Sequence, residues 1–222
     1  MLEGMLNALS GLRAASKKLQ NSANNVANIQ TSGFKKSRLD LTAMSSGGVR
    51  VSATSRTNTQ GAIAQTNDPF TLAISGRGFF QVALPNGKSG FTRGGTFKLD
   101  GTGRMVTSDG NPVIPEITIP GNTKAISVGS TGEISYAAGS ETQNSGQLLL
   151  ADFDNPAGLT AMGGNLLGET GASGPAITGN PGTGGFGTII SGAYELSNVD
   201  ITSEVVDQIV TTAAFKANAQ VI

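Results

Sequence analysis

At 222 residues, with 15 basic against 15 acidic side chains, the chain is long enough for one large or two modest domains and carries no global field to gather nucleic acid or an anionic membrane. The absence of both Cys and His excludes disulfides, thiolate or imidazole metal sites, and Ser-His or Cys-His nucleophile pairs. Thirty-two glycines, no Trp and only 14% charged residues, against roughly 25% in an average domain, point to a turn-rich β fold.

The first element is helical. Leu2, Met5, Leu9, Leu12, Ser16, Leu19, Ala23 and Val26 step alternately by three and four, an a/d heptad seam interrupted at Ser16. A helix from Leu2 to about Ala27 would be roughly 38 Å long, and its apolar stripe needs a partner. The opening segment has an acid, Glu3, before any basic residue and no continuous apolar core, so it does not read as a secretory signal peptide. No run of 18 apolar residues occurs, so no membrane insertion is expected. The chain is then cytoplasmic or exported by another route.

The seam runs into NSANNVANIQTSGFK. Asn21, Asn24, Asn25 and Asn28 set amides around the seam, where they can bond neighbouring backbone or other chains. Gly33 is expected to supply the left-handed turn that ends the helix, with Phe34 anchoring the exit. The runs Lys17-Lys18 and Lys35-Lys36-Ser37-Arg38 read as solvated faces. Residues 42–68, rich in Ser, Thr, Asn and Gln, read as a polar connector.

From 69 to 190 the pattern is that of a β domain. Short β-rich runs at 70–74, 79–84, 90–92, 96–99 and 104–107 are separated by turn signals at Asn86-Gly87, Asp100-Gly101 and Asp109-Gly110, which is a chain of hairpins. Further runs are expected at 117–119, 125–128, 133–136 and 147–153. SGRGFF at 75–80 reads as a tight turn feeding a buried Phe79 or Phe80. DGTGRMVTSDG does not suit calcium, because Thr102 and Arg104 occupy ligand positions. The Gly-rich segment 168–187 lacks the Lys-Ser/Thr of a phosphate-binding loop and reads as a flexible return path.

The last element is a second amphipathic helix. Asp200 or Thr202 can serve as N-cap, with Glu204 in the first turn. Val206, Ile209, Val210, Ala213 and Ala217 fall in one arc of about 100°, and Phe215 falls opposite. Asp200, Glu204 and Asp207 share a face that reads as solvated and acidic. The fold expected is therefore mainly β with α-helical termini: residues 1–41 and 191–222 pair in a coiled-coil-like domain around a central all-β domain.

The residues also resemble a known family. SGLRAASKKLQNSANNVANIQTSGFKKSR is similar to the N-terminal signature of bacterial flagellar rod and hook proteins, matched by Ala23, Asn24, Asn25, Ala27, Asn28, Thr31, Gly33, Phe34 and Lys35. AISGRGFFQV and FTRGGTFKLDGTGRMVTSDGNPVIPEITIP resemble the shared central segment. LLLADFDNPAGLTAMGGNLLGETGASG and SGAYELSNVDITSEVVDQIV are most like the rod members. Two departures stand out. Thr212–Lys216 replaces the usual Gln-Arg-Ala-Tyr-Glu, and the sequence stops at Ile222 where relatives run on for a few helical turns, so the C-terminus is either naturally short or truncated.

The resemblance implies a non-enzymatic axial subunit without cofactors. Its terminal helices would pair at the inner radius of a tube, and many copies would polymerise helically into a torque-transmitting shaft. Export would proceed through the flagellar type III apparatus without cleavage. Partners would be further copies, other rod and hook proteins and the ring bushings around the rod, in the basal body. The assembly residues implied are Leu2, Met5, Leu9, Leu12, Leu19, Asn24, Asn25, Val26, Asn28, Gly33, Phe34, Val206, Ile209, Val210, Ala213, Phe215 and Ala217. A hook subunit is the alternative within this class, and a secreted β-rich binding module or a wall hydrolase lies outside it. Because neither helix buries its stripe alone, the isolated monomer is expected to have mobile ends, with an intramolecular coiled coil as the alternative.

Overall fold

The computed structural model describes residues 2–121, 123, 126–138 and 141–222, without the side chains of Leu2 and Ala138. Of the expected strand at 125–128, residue 125 lies outside the described residues. Two compact units emerge. The terminal unit comprises the chain up to Thr31, Lys35–Thr59 and Ser197–Ile222, and the β unit comprises Ser32–Phe34 and Gln60–Leu196.

In the terminal unit, α1 spans Leu2–Ala27, as the heptads predict. Its end differs from expectation. The Asn28 amide bonds both the Asn24 and Asn25 carbonyls, and Asn28 Nδ2 donates to Asn24 O at 2.9 Å, so an asparagine closes the last turn. Gly33 lies six residues beyond and does not cap α1. Its φ is +68°, and a Cβ there would overlap the backbone of Arg93 and Gly94 within the β unit. The glycine is required by close approach of two chain segments.

Residues Ser37–Ala43 form β1 and Val49–Arg56 form β2, an antiparallel hairpin with a register shift between Asp40 and Leu41. Much of the expected polar connector is therefore a strand. Its alternation of Val and Ala with Ser and Arg suits a ribbon with one covered face, a period obscured by the Ser and Thr content. The second helix, α2, spans Ile201–Ala219, and Asp200 caps it by accepting from the Thr202 and Ser203 amides at 2.8 and 3.2 Å.

The β unit is built on a six-stranded antiparallel sheet, in spatial order Thr160–Gly163, Leu166–Gly168, Ser89–Thr92, Phe79–Ala83, Leu150–Asp152 and Ile177–Gly179. The last is an edge strand inside the segment read as a Gly-rich loop; Gly179 and Thr178 pair with Leu150 and Ala151. The run expected at 147–153 divides between Glu141–Gln147 and Leu150–Asp152. Phe79 and Phe80 are both buried and follow the turn at Gly76 and Gly78. Phe91 meets Phe153 edge-on at 4.8 Å between centroids, and Phe80 meets Phe97 at 5.1 Å, the T-shaped geometry aromatic rings prefer.

Candidate assembly surface

Two helices of 26 and 19 residues must bury something. The contacts between α1 and α2 run in opposite chain order: Gly11 lies against Asn218, Lys18 pairs with Asp207 at 3.2 Å, and Ser22 meets Glu204 at 2.6 Å. The helices are therefore antiparallel. The α1 residues on this line are Ala8, Gly11, Ala15, Lys18, Ser22 and Asn25, again stepping by three and four. Ala8, Ala15, Ser22 and Asn25 are buried. This is a second heptad, made of small and polar residues and shifted roughly 100° around α1 from the leucine seam. Gly11 belongs to it because any Cβ would come within 2.8 Å of the Asn218 side chain.

The α2 side is polar as well. Glu204 and Thr211 are buried, and Gln208 and Asn218 are partly covered. Phe215 shares their helical register and remains 37% exposed. On the opposite face of α2, Val206, Ile209 and Val210 are 54%, 65% and 59% exposed, and Ala213 and Ala217 are exposed with them. The predicted arc exists but does not meet α1. On α1, Met5 and Leu9 are exposed and Leu12, Leu19 and Val26 only half-buried. The expected coiled-coil-like pairing does not join the two apolar stripes within the chain: α1 and α2 meet through their polar faces, where donors and acceptors are matched.

Glu204 is the centre of that match. Its carboxylate accepts from Ser22 Oγ at 2.6 Å and Asn25 Nδ2 at 3.2 Å, and pairs with Lys36 Nζ at 2.8 Å. Gln208 Nε2 donates to Ser22 Oγ at 3.2 Å. Only 2% of Glu204 is exposed, which overturns its reading as part of a solvated acidic face. The basic run is corrected with it. Lys35 is buried and donates to Thr59 O at 2.7 Å, while Lys36 turns to Glu204. Asn25 also clasps the start of β1, donating to Ser37 O and accepting from Ser37 N, both at 2.9 Å. Asn21 donates to the same carbonyl at 2.7 Å. Asn24 is exposed, and Asn28 serves the helix end. The four asparagines thus divide their work.

A groove of about 430 Å³ lies between α1 and the hairpin, lined by Leu6, Leu9, Arg13, Met44, Val49 and Val51 among others. Within the β unit, Arg93 and Glu195 form a buried pair at 3.4 Å, with Arg93 also donating to Gly76 O at 2.6 Å. Burial pushes the Arg93 guanidinium below its ordinary pKa, and Glu195 opposes that shift. Glu195 Oε1 accepts from the Gly61 amide and its carbonyl from the Gly33 amide, so this residue links three separate chain segments of the β unit. Phe34, expected as an anchor, is half-buried and belongs to neither apolar cluster of the β unit.

Sequence reasoning missed Glu204, Ser22, Lys36, Gln208 and the Ala8–Gly11–Ala15 line. The signal was there in the second 3-4 spacing, but a search for apolar periodicity passes over small and polar residues.

The helical pair thus covers Ser22, Asn25 and Glu204 and displays Val206, Ile209 and Val210. Three family models match in chain order: "Flagella basal body rod protein" over residues 5–35, "Flagellar hook protein FlgE/F/G D1 domain" over 73–136, and "Flagellar basal body rod FlgEFG protein C-terminal" over 190–222. The chain is 39% identical to the flagellar basal-body rod protein FlgG of Buchnera aphidicola from Acyrthosiphon pisum, over 100% of this chain and 95% of the relative. It is 36% identical to FlgG of Bacillus subtilis, over 100% and 94%, and 34% identical to FlgG of Caulobacter vibrioides, over the same shares. The chain belongs to the FlgG family of flagellar basal-body rod proteins. These relatives are named as rod proteins and not as enzymes.

Proposed function

We propose that this protein is a non-enzymatic structural subunit of the flagellar rod, and that copies of it polymerise helically through the terminal helices into the shaft that carries torque from motor to hook. The observation that carries this reading is the outward-facing arc of α2, Val206, Ile209 and Val210. Four or five aliphatic side chains in one stripe are stabilised by burial at roughly 25 cal/mol per Å², and among the described residues Val206, Ile209 and Val210 stay more than half exposed. The occupant is a second copy. One stripe is far smaller than the roughly 800 Å² per partner of a stable two-body interface, which suits a subunit that engages several neighbours together.

Within the reading, the Leu9, Leu12 and Leu19 side of α1 forms coiled-coil-like contacts with other copies. The hook and other rod proteins are end neighbours, the rings surround the shaft, and the subunit reaches the basal body by type III export. A hook subunit is the second reading, favoured by 39% identity to the Escherichia coli hook protein FlgE over 46% of this chain and 26% of that protein. The test is localisation in cells lacking the native rod gene. Protein that restores motility and copurifies with basal bodies stripped of hooks supports the rod reading; presence only in the detached hooks supports the other, and absence from both overturns the proposal.

A further inference from the structure

The α2 helix has two faces roughly 180° apart, and the hydrophobic effect alone favours turning the Val206–Val210 face onto the leucines of α1. The chain does the opposite. We propose that Glu204 is the positioning residue that selects which face of α2 meets α1, and that it thereby holds the aliphatic arc outward for other copies. The inference rests on the rod reading for its purpose, and on the terminal unit alone for its mechanism.

The geometry favours the observed register. The two carboxylate oxygens are shared among Ser22 Oγ, Asn25 Nδ2 and Lys36 Nζ, donors from α1 and from the segment that follows it. Ser22 and Asn25 are themselves buried. Rotating α2 by half a turn carries the carboxylate away from Ser22 and Asn25, and buried donors without acceptors are costly. A second network anchors the donors: Asn25 is held at both ends by Ser37, and the Lys36 amide donates to Asn198 Oδ1 at 2.7 Å. The acceptor has a fixed target. Buried polar groups that specify helix register at the expense of apolar contact are the best-attested use of such clusters.

The chain contains no cysteine, so an introduced pair reports register without interference. An ideal Cβ at Gly11 lies 2.9 Å from Asn218 Cγ, close to the Cβ-to-sulfur separation within a disulfide. The double substitution Gly11→Cys with Asn218→Cys is therefore expected to close a bond in the native register only. Its effective concentration against glutathione is measured in the purified full chain. Glu204→Leu is expected to lower it by on the order of tenfold or more, and Glu204→Gln, which retains an acceptor for Ser22 and Asn25, to retain most of it. An unchanged value in folded Glu204→Leu overturns the proposal. Should Glu204→Leu lose its helices by circular dichroism, Lys36→Met becomes the deciding variant, with a several-fold loss expected and a wild-type value overturning the proposal. The disulfide reads the monomer, so its result stands apart from incorporation into basal bodies, on which the rod reading depends.

Discussion

The β unit and the terminal unit distribute their side chains in opposite ways. In the β unit the largest residues are the most hidden: Phe80, Phe91 and Phe153 are each 1% exposed, and three aromatic pairs tie the strands together. In the terminal unit the hidden residues are mostly small or polar, among them Ala8, Ala15, Ser22, Asn25, Glu204 and Thr211, while Leu6, Ile209 and Val210 stand in solvent. One unit has completed its core within a single chain. The other leaves aliphatic side chains exposed and joins its two helices largely through hydrogen bonds.

That contrast can be broken or sharpened by substitution. The largest effect belongs to the β core: Phe153→Ala removes a ring between Phe79 and Phe91 and is expected to cost about 3–5 kcal/mol in denaturant unfolding. Next is Gly33→Ala, where a left-handed φ and the nearby Arg93 backbone give an expected loss of about 1–3 kcal/mol, read in the same titration. Asp200→Ala removes the cap of α2 and is expected to cost about 1 kcal/mol, visible as lost helicity on mild heating with the β unit intact.

A smaller effect is tied to pH. Asp100 accepts from Thr102 and Arg104 and pairs with the Arg104 guanidinium, and these bonds hold its carboxyl well below the usual carboxylate range. Its contribution is present above the unfolded-state value of about 3.9 and is lost as pH falls through the lower folded value. The gap in unfolding midpoint between wild type and Asp100→Asn is therefore expected to be constant near neutrality and to close in strong acid. The smallest effect on the isolated chain is expected for Ile209→Ser, within about 0.5 kcal/mol. The same substitution is expected to abolish incorporation into basal bodies, and a large stability loss would mean that α2 packs inward after all.

Periodicity revealed the helices because apolar residues at 3-4 spacing state a helix whatever its environment. Capping and turn residues are equally local signals, which offered Asp200 or Thr202 as the cap and placed the hairpins at Asn86-Gly87 and Asp100-Gly101. Which face of a helix turns inward is not local. Glu204 looks like any first-turn acid until Ser22, Asn25 and Lys36 are brought beside it from more than 160 residues away in the chain. Lys35 looked solvated because its partner, the Thr59 carbonyl, carries no side-chain signal. β2 escaped notice because its Ser and Thr residues suit a loop and an exposed strand alike. The family resemblance reached the site by another path, through the asparagines themselves.

The open stripes on α1 and α2 belong to different helices and differ in composition, so a neighbour that covers one with the other uses two unlike patches. Such a contact is heterologous, and it leaves each added copy presenting the same unfilled patch as the last. Unless the rotation happens to close a ring, growth by that contact has no internal end point. Length must then be set by something other than the subunit, such as a supply that runs out or a different protein that occupies the terminal patch.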